Sequence, residues 1–323
     1  MRTHGYCSLI LLIAVSCSAK FDLEADIIAG AGDAVSWMTP LPDDTPVSEL
    51  SIPGAHDAAT AGVTSWTAFT RTQELDIAAL WNCGVRAFDL RPALSGGTLG
   101  IYHDKYSANV TFPEVMDVLV LAIQKHPGEG AIVLIRHEKE ADGNNSEWGT
   151  AFGGYLSGIR EHLADYREGL TLGELRGKIL VLCRNEYTGG PYGAYIKGWT
   201  SGTDASAQKA GSLVLRGGAT APFWVQDYYD PDGADYKWEQ VQLMLDAVGA
   251  GDAPLSVNHA SGYVGKLPDY RSNARNINAK AAEYIRQHGR PAGIVMMDFA
   301  GVDRSGGKDV AGKTLVNALI SNN

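Results

Sequence analysis

Cysteine is scarce in this chain. Four cysteines in 323 residues cannot build a disulfide scaffold, and two of them, Cys7 and Cys17, lie at the very N-terminus. The other two, Cys83 and Cys183, sit in apolar stretches (Leu80-Trp81-Asn82-Cys83 and Val181-Leu182-Cys183), the usual setting of buried free thiols. There is no CxxC pair and no Cys/His spacing of the kind that holds zinc. Basic charge is short as well: 27 Lys+Arg face 37 Asp+Glu, a net charge of -10. Such a chain has no general attraction for nucleic-acid phosphates, and any anion it binds must be held by a few local cations. Beyond the N-terminus no apolar run approaches the roughly 20 residues of a membrane-spanning helix. Low-complexity tracts, linkers and internal repeats are also missing, while 45% hydrophobic and 20% charged residues match an ordinary globular composition. Residues 20–323 therefore read as one domain.

The first 19 residues read as a signal peptide. Arg2 and His4 precede the apolar run Ser8–Val15, and the small residues Ser16-Cys17-Ser18-Ala19 follow. Val15-Ser16-Cys17 also carries a hint of a lipoprotein leader, with Cys17 acylated after cleavage. Either way the expected location is secreted, periplasmic or otherwise extracytoplasmic, with lipid anchoring through Cys17 in the second case. Asn109-Val110-Thr111 and Asn144-Asn145-Ser146 match the glycosylation sequon, which matters only in a eukaryotic secretory path. A monomer is the default expectation.

Short apolar runs then recur along the chain: Leu50–Ile52, Val85–Phe88, Leu99–Tyr102, Ala131–Ile135, Ile179–Leu182, Phe223–Val225, Leu255–Val257 and Ile294–Met297. Their length and β-branched content suit buried strands. Helical patterns lie between most of them. The clearest opens at Thr111, with Pro113 in its first turn and Glu114 completing a capping box, and Pro127-Gly128 stops it. Others are expected near 236–249, 273–288 and 308–321. Eight strands alternating with helices predict an α/β fold, a (β/α)8 TIM-like barrel, distorted or incompletely closed; a doubly wound open sheet is the alternative.

Nearly every run ends in polar or charged residues. After the first come His56 and Asp57, after the second Asp89 and Arg91, after the third His103. The later runs end in Arg136-His137-Glu138, Arg184, Gln226-Asp227-Tyr228-Tyr229, Asn258-His259 and Asp298. In a barrel these ends meet on one face, where barrel active sites lie. Collecting so many charges in one place needs a purpose, because their desolvation would otherwise be uncompensated. Two imidazoles can serve as general base and general acid, and an arginine offers a planar fork to phosphate oxygens. Together they describe in-line transfer at phosphorus by a metal-free phosphodiesterase. The competing reading of Arg91 is a structural ion pair with Asp89.

Taken in order, these segments resemble the bacterial phosphatidylinositol-specific phospholipases C, in their catalytic X-domain. The resemblance is carried by Ser51-Ile52-Pro53-Gly54-Ala55-His56-Asp57, Thr72-Gln73-Glu74, Gly84–Arg91, Ile101-Tyr102-His103, His126-Pro127-Gly128-Glu129 and Ile135-Arg136-His137-Glu138. Sparser matches follow at Cys183-Arg184, Val225–Tyr229 and Met297-Asp298-Phe299. It implies a distorted TIM barrel that cleaves phosphatidylinositol to diacylglycerol and inositol 1,2-cyclic phosphate, then opens the cyclic phosphate more slowly. It implies His56 as general base oriented by Asp298, His103 as general acid partnered by Asp57, and Arg91 as the phosphate-holding cation in place of a metal ligand. Asp89 and Asn258 are supporting residues. Arg136, Glu138, Arg184 and Asp227 are the implied inositol contacts, and Tyr229 the aromatic platform, with Tyr263 a candidate second ring. No cofactor or metal is implied. Arg136 departs from the family, which carries Lys there. The implied partner is phosphatidylinositol in membranes, reached by transient surface contact through Trp66, Phe69 and Trp148, with GPI-anchored proteins as further substrates; neither nucleic acid nor a stable protein partner is implied. The alternatives are a metal-dependent glycerophosphodiester phosphodiesterase-like barrel and an inactive lipid- or glycan-binding barrel.

Overall fold

A computed structural model describes residues 34–199, 201, 211–229, 233–263 and 268–323. The leader reading at 1–19 and the acylation reading of Cys17 lie outside the described residues.

The strands in chain order are β1 (Ser51–Ala55), β2 (Ala87–Leu90), β3 (Pro92–Ser95), β4 (Thr98–His103), β5 (Tyr106–Thr111), β6 (Ala131–Ile135), β7 (Leu163–Ala164), β8 (Ile179–Cys183), β9 (Ala194–Lys197), β10 (Gly211–Leu215), β11 (Thr220–Gln226), β12 (Ser256–His259), β13 (Gly293–Met297) and the short pair β14 (Arg304–Ser305) and β15 (Lys308–Asp309). The helices are α1 (Thr67–Thr70), α2 (Ile77–Asn82), α3 (Phe112–Lys125), α4 (Lys139–Asp142), α5 (Trp148–Gly158), α6 (Leu172–Leu175), α7 (Ala234–Gly249), α8 (Tyr270–His288) and α9 (Gly312–Ile320).

The principal sheet runs β6-β2-β1-β13-β12-β11-β10-β9-β8, and a pairing between β6 and β8 joins its two ends. The barrel is therefore closed, with nine strands rather than eight, and β7 hangs off β8 as an appendage. Two expectations are corrected here. Leu99–Tyr102 belongs to a separate antiparallel sheet, β3-β4-β5, and is not a barrel strand. In its place the barrel takes up β9 and β10, and the pairs β9–β10 and β10–β11 are antiparallel. Both strands are short and their apolar residues are interrupted, so neither stood out as a buried run.

Alternation along each strand divides the apolar side chains between two cores. Ala55, Phe88, Leu90, Val133, Ile135, Val181, Val295 and Met297 pack with helix residues such as Val115, Leu119, Val241, Ile277 and Leu315. The intervening residues Ile52, Ala87, Ile132, Leu134, Leu182, Val225, Val257, Ile294 and Met296 pack with one another inside the barrel. At the barrel floor Arg86 is fully buried, paired with Glu129 at 3.0 Å and lying 3.7 Å from the Trp81 ring centre. Burial lowers its pKa to about 10, against the pull of Glu129. Glu129 also accepts from the backbone N–H groups of Met38 and Thr39, so one buried charge ties the N-terminal segment to the floor.

Helix α3 forms where the capping pattern places it. Thr111 Oγ1 accepts from the Glu114 N–H, and the Glu114 carboxylate accepts from the Thr111 N–H. Thr111→Ala is expected to cost about 1 kcal/mol of stability, read as a lower Tm in thermal denaturation. An unchanged Tm would mean that tertiary packing alone holds the helix end.

Candidate active site

The strand period that fills the barrel interior continues past the strand ends and aims side chains into one cavity. Ile52 and Gly54 lead to His56; Ala87 leads to Asp89 and Arg91; Ile132 and Leu134 lead to Arg136 and Glu138. Likewise Leu182 leads to Arg184, Val225 to Asp227 and Tyr229, Val257 to His259, and Met296 to Asp298. Parallel register then sets neighbours side by side. Ala55 pairs with Met297, so His56 meets Asp298, and Leu90 pairs with Ile135, so Arg91 lies next to Arg136.

His56 Nδ1 lies 2.8 Å from Asp298 Oδ1. A carboxylate can only accept, so Nδ1 carries the hydrogen and Nε2 faces the cavity. Asp298 Oδ2 accepts from the Gly262 N–H at 3.1 Å, which fixes the carboxylate in turn. Asp57 is out of phase with the inward face. Its φ of 44° turns the chain at that point and swings its carboxylate into the cavity, a strained conformation for a non-glycine residue of the kind that clusters at functional sites. Asp57 Oδ1 stands 2.5 Å from Arg91 Nε, and its Oδ2 stands 3.4 Å from His56 Nε2 and 3.6 Å from His103 Nε2. The single carboxylate thus sits between both imidazoles and the guanidinium. Arg91 Nη2 reaches Asp89 Oδ2 at 3.3 Å and His56 Nε2 at 3.0 Å. The last contact is a hydrogen bond when Nε2 is bare, the form a general base needs.

Burial weakens the basicity of His56, but Asp57 and Asp298 outweigh it and lift its pKa to about 9, with Arg91 opposing them. Burial likewise works against ionised Asp89, yet Arg91, His56 and His259 hold its carboxyl down at about 2. Arg91 is itself desolvated, but Asp57 and Asp89 keep it firmly protonated. Opposite charges in the cluster thus favour one another's ionised forms against the cost of burial.

His103 comes to the site on the β4–β5 hairpin. Its Nδ1–H donates to the Thr70 carbonyl at 2.7 Å, leaving Nε2 for the cavity. Thr70 ends α1, and its hydroxyl donates to the Ser65 and Trp66 carbonyls.

The implied inositol contacts gather beside this cluster. Asp227 Oδ2 accepts from Trp199 Nε1 at 2.9 Å, and the same indole lies under the Arg184 guanidinium at 4.4 Å. Arg136 Nη2 stands 3.8 Å from Glu138 and 3.6 Å from Glu140. Burial raises the Glu138 carboxyl to about 7, although Arg91 and Arg136 pull the other way, and its Oε2 has no hydrogen-bond partner. Tyr229 is 41% exposed and lies 6.1 Å from the Tyr263 ring, an open aromatic pair at the cavity rim.

Other residues are placed elsewhere. Asn258 is out of phase, and donates to the Val241 carbonyl of α7 while accepting from Gln226, a structural role. His137 is also out of phase; it donates to Asp142 at 2.8 Å and stacks on Trp148. Trp148 is buried in that stack, so it is not a surface aromatic as expected, whereas Trp66 is 68% exposed and lies near Phe69. Cys83 and Cys183 are free, the first half-buried and the second buried.

Reasoning from the sequence missed Trp199 and Thr70, and it placed His259 at a run end without giving it a role. Trp199 follows β9, a strand too short to be read from its residues. Thr70 acts through its carbonyl, which any residue could supply. His259 was legible, since it continues the inward phase of β12. It lies 3.8 Å from Asp227, edge-on to His56, and burial lowers its pKa to about 4 despite Asp227.

His56, Asp57 and Asp89 each offer a ligand atom within 4.8 Å of the others, the one such cluster among the described residues. The Arg91 guanidinium already contacts all three, so a cation there would have to displace it.

No protein-family model matches the chain. It is 26% identical over 281 residues to the 1-phosphatidylinositol phosphodiesterase of Listeria monocytogenes, covering 81% of this chain and 80% of the relative. It is 24% identical over 315 residues to the 1-phosphatidylinositol phosphodiesterase of Staphylococcus aureus strain Newman, covering 89% and 96%. Its fold matches the solved phosphatidylinositol-specific phospholipase C of Listeria monocytogenes with a TM-score of 0.68 at 22% identity, over 90% of this chain and 98% of the other. A phosphatidylinositol-specific phospholipase C structure from Staphylococcus aureus matches with a TM-score of 0.75 at 22% identity, over 90% and 97%. Along nearly its whole described length, then, the chain is a relative of the bacterial 1-phosphatidylinositol phosphodiesterases in sequence and shares the barrel of the bacterial phosphatidylinositol-specific phospholipases C in fold.

Proposed function

We propose that this protein is a phosphatidylinositol-specific phospholipase C that works without a metal ion. The observation that carries the proposal is the placement of two imidazole Nε2 atoms on either side of one carboxylate, with the Arg91 guanidinium between Asp57, Asp89 and His56.

In the first step His56 Nε2 removes the proton from the inositol 2-hydroxyl, and that oxygen attacks phosphorus. The phosphorus–oxygen bond to the glycerol breaks, and His103 gives its Nε2 proton to the departing diacylglycerol oxygen. The products are diacylglycerol and inositol 1,2-cyclic phosphate. In the second step His103 takes a proton from water, the water oxygen attacks phosphorus, the bond from phosphorus to the 2-oxygen breaks, and His56 returns its proton to that oxygen. Arg91 leaves the bare His56 nitrogen to hold the phosphate oxygens, where its fixed fork offsets the charge that develops. Arg136, Glu138, Arg184 and Asp227 supply paired donors and acceptors for ring hydroxyls, and Tyr229 supports the C–H face. Trp66 and Phe69 rest the cavity mouth against the headgroup layer, a weak docking for an acidic chain. Residues 1–19 serve as the export leader. GPI-anchored proteins carry the same headgroup linkage and are further substrates, tested by release of a GPI-linked reporter.

The deciding experiment is ³¹P NMR of phosphatidylinositol vesicles mixed with the enzyme. A transient cyclic phosphate resonance is expected; direct appearance of inositol phosphate alone would overturn the two-step reading. EDTA is expected to leave the rate nearly unchanged, because a guanidinium and not a metal ion holds the phosphate. A collapse on chelation would move the site to metal chemistry of the glycerophosphodiesterase kind.

The pH profile has a definite sign. His56 serves as base only after losing its proton, so kcat/KM rises with pH through its pKa, lifted toward about 9 in the free enzyme. Asp298→Asn removes one of the carboxylates that raise His56, and the rising limb is expected to move to lower pH. A limb that stays in place in that variant would detach it from His56.

A further inference from the structure

Behind the cavity, between β11, β12 and α7, lies a buried ammonium that the reaction does not use. Lys237 stands in the first turns of α7 and has no exposed surface. Its Nζ donates to the Tyr228 carbonyl at 2.5 Å and lies 3.5 Å from Gln226 Oε1. Gln226 Oε1 accepts from the Tyr228 N–H at 2.7 Å, and its amide nitrogen donates to Asn258 Oδ1 and to the His259 carbonyl. These bonds close a small polar chamber around the backbone that leaves β11, and Asp227 and Tyr229 flank the clamped residue on either side. Gln226, Tyr228 and Asn258 are out of phase with the cavity, which is why they meet Lys237 behind the strands while Asp227 and Tyr229 face the front.

A fully buried ammonium is costly, and a methionine of similar length would fill the same space without that cost. Burial drags the amine down to about 7, while Asp227 and Asp298 act to keep its proton. Retention of a lysine here therefore needs a reason beyond packing, and its contacts supply one.

We propose that Lys237 is a positioning residue for head-group recognition: its ammonium clamps the Tyr228 carbonyl and so sets the turn from which Asp227 and Tyr229 reach the inositol ring. Asp227 reaches forward to Trp199, and so to the stacked Arg184, so the clamp orients that whole side of the ring pocket from behind. The inference rests on the reading of Asp227 and Tyr229 as ring contacts, and the experiment separates the two.

The test measures inhibition by myo-inositol, together with kcat on soluble inositol 1,2-cyclic phosphate, for the full chain and for Lys237→Met. The inhibition constant is expected to rise about tenfold, with kcat within about threefold of the parent. A purely structural lysine would lower Tm or active fraction and leave both constants alone. Asp227→Ala is the control for the underlying reading. If it weakens myo-inositol binding and Lys237→Met does not, the clamp is overturned. If Asp227→Ala has no effect, the ring-contact assignment falls and takes the inference with it. Should Lys237→Met fail to fold, Lys237→Leu carries the same comparison, since it too removes both the donor and the charge; weaker myo-inositol binding supports the clamp, and unchanged binding overturns it.

Discussion

Replacing His56 by alanine is expected to lower turnover of phosphatidylinositol by about 10²–10⁴-fold, and replacing His103 is expected to do the same. The two losses have different origins. Without His56 the 2-hydroxyl keeps its proton and the attack on phosphorus slows. Without His103 the diacylglycerol oxygen must leave as an alkoxide. Both imidazoles are held by groups outside the reaction, Asp298 for one and the Thr70 carbonyl for the other, so alanine at either position leaves the walls of the site standing. The folded fraction should therefore stay close to that of the parent, and the loss should appear in kcat. In the proposed mechanism each imidazole works in both steps, so hydrolysis of inositol 1,2-cyclic phosphate should fall alongside. Near-parental turnover in either variant would remove that residue from the mechanism. A Glu or Gln at position 56 would not substitute, since neither can both take Asp298 on one side and present a basic atom to the cavity on the other.

How far the sequence could be read depends on parity. The inward phase of a strand continues into the residues just after it, so His56, Arg91, Arg184, Asp227 and Asp298 could be placed from the sequence, and the register of neighbouring strands then brings them together. The same rule would have set Asn258 and His137 aside, because each stands one residue out of phase and turns to its own helix or to Trp148. Asp57 breaks the rule, and only its left-handed backbone brings it into the cavity. Nothing in the residue type announces that conformation. Where the barrel departs from eight parallel strands, the sequence was weaker. The antiparallel β9 and β10 carry polar residues on one side, as strands with a partly wet face do, and hide among loops. The opposite error occurred at Leu99–Tyr102, whose apolar residues cover the barrel from outside as part of a hairpin. That hairpin still delivers His103 to the site. The residue that ends this apolar run thus lies 3.6 Å from Asp57, although the run is not a barrel strand.

Arg91→Met is expected to reduce kcat/KM by about 10²–10³-fold, the usual loss when one preorganised charge donor to a transition state is removed. The guanidinium is the group that joins the site electrically. It contacts Asp57, Asp89 and His56, and it is the cation best placed to meet a phosphate that approaches between the two imidazoles. Its removal leaves two buried carboxylates without their counter-charge. Asp89, held near 2 largely by Arg91, should titrate at higher pH in the variant, and part of the parent's stability at neutral pH should be lost with it. Activity must therefore be scaled to the folded fraction, measured by thermal denaturation at the assay temperature. Arg91→Lys separates geometry from charge. Lysine restores a positive charge but offers a point donor where arginine offers a fork, so recovery should be partial. If Arg91 were only the structural partner of Asp89, the methionine variant would lose stability and keep its activity per folded molecule. The opposite pattern, a lysine variant that is stable yet slow, would place the guanidinium on the phosphate.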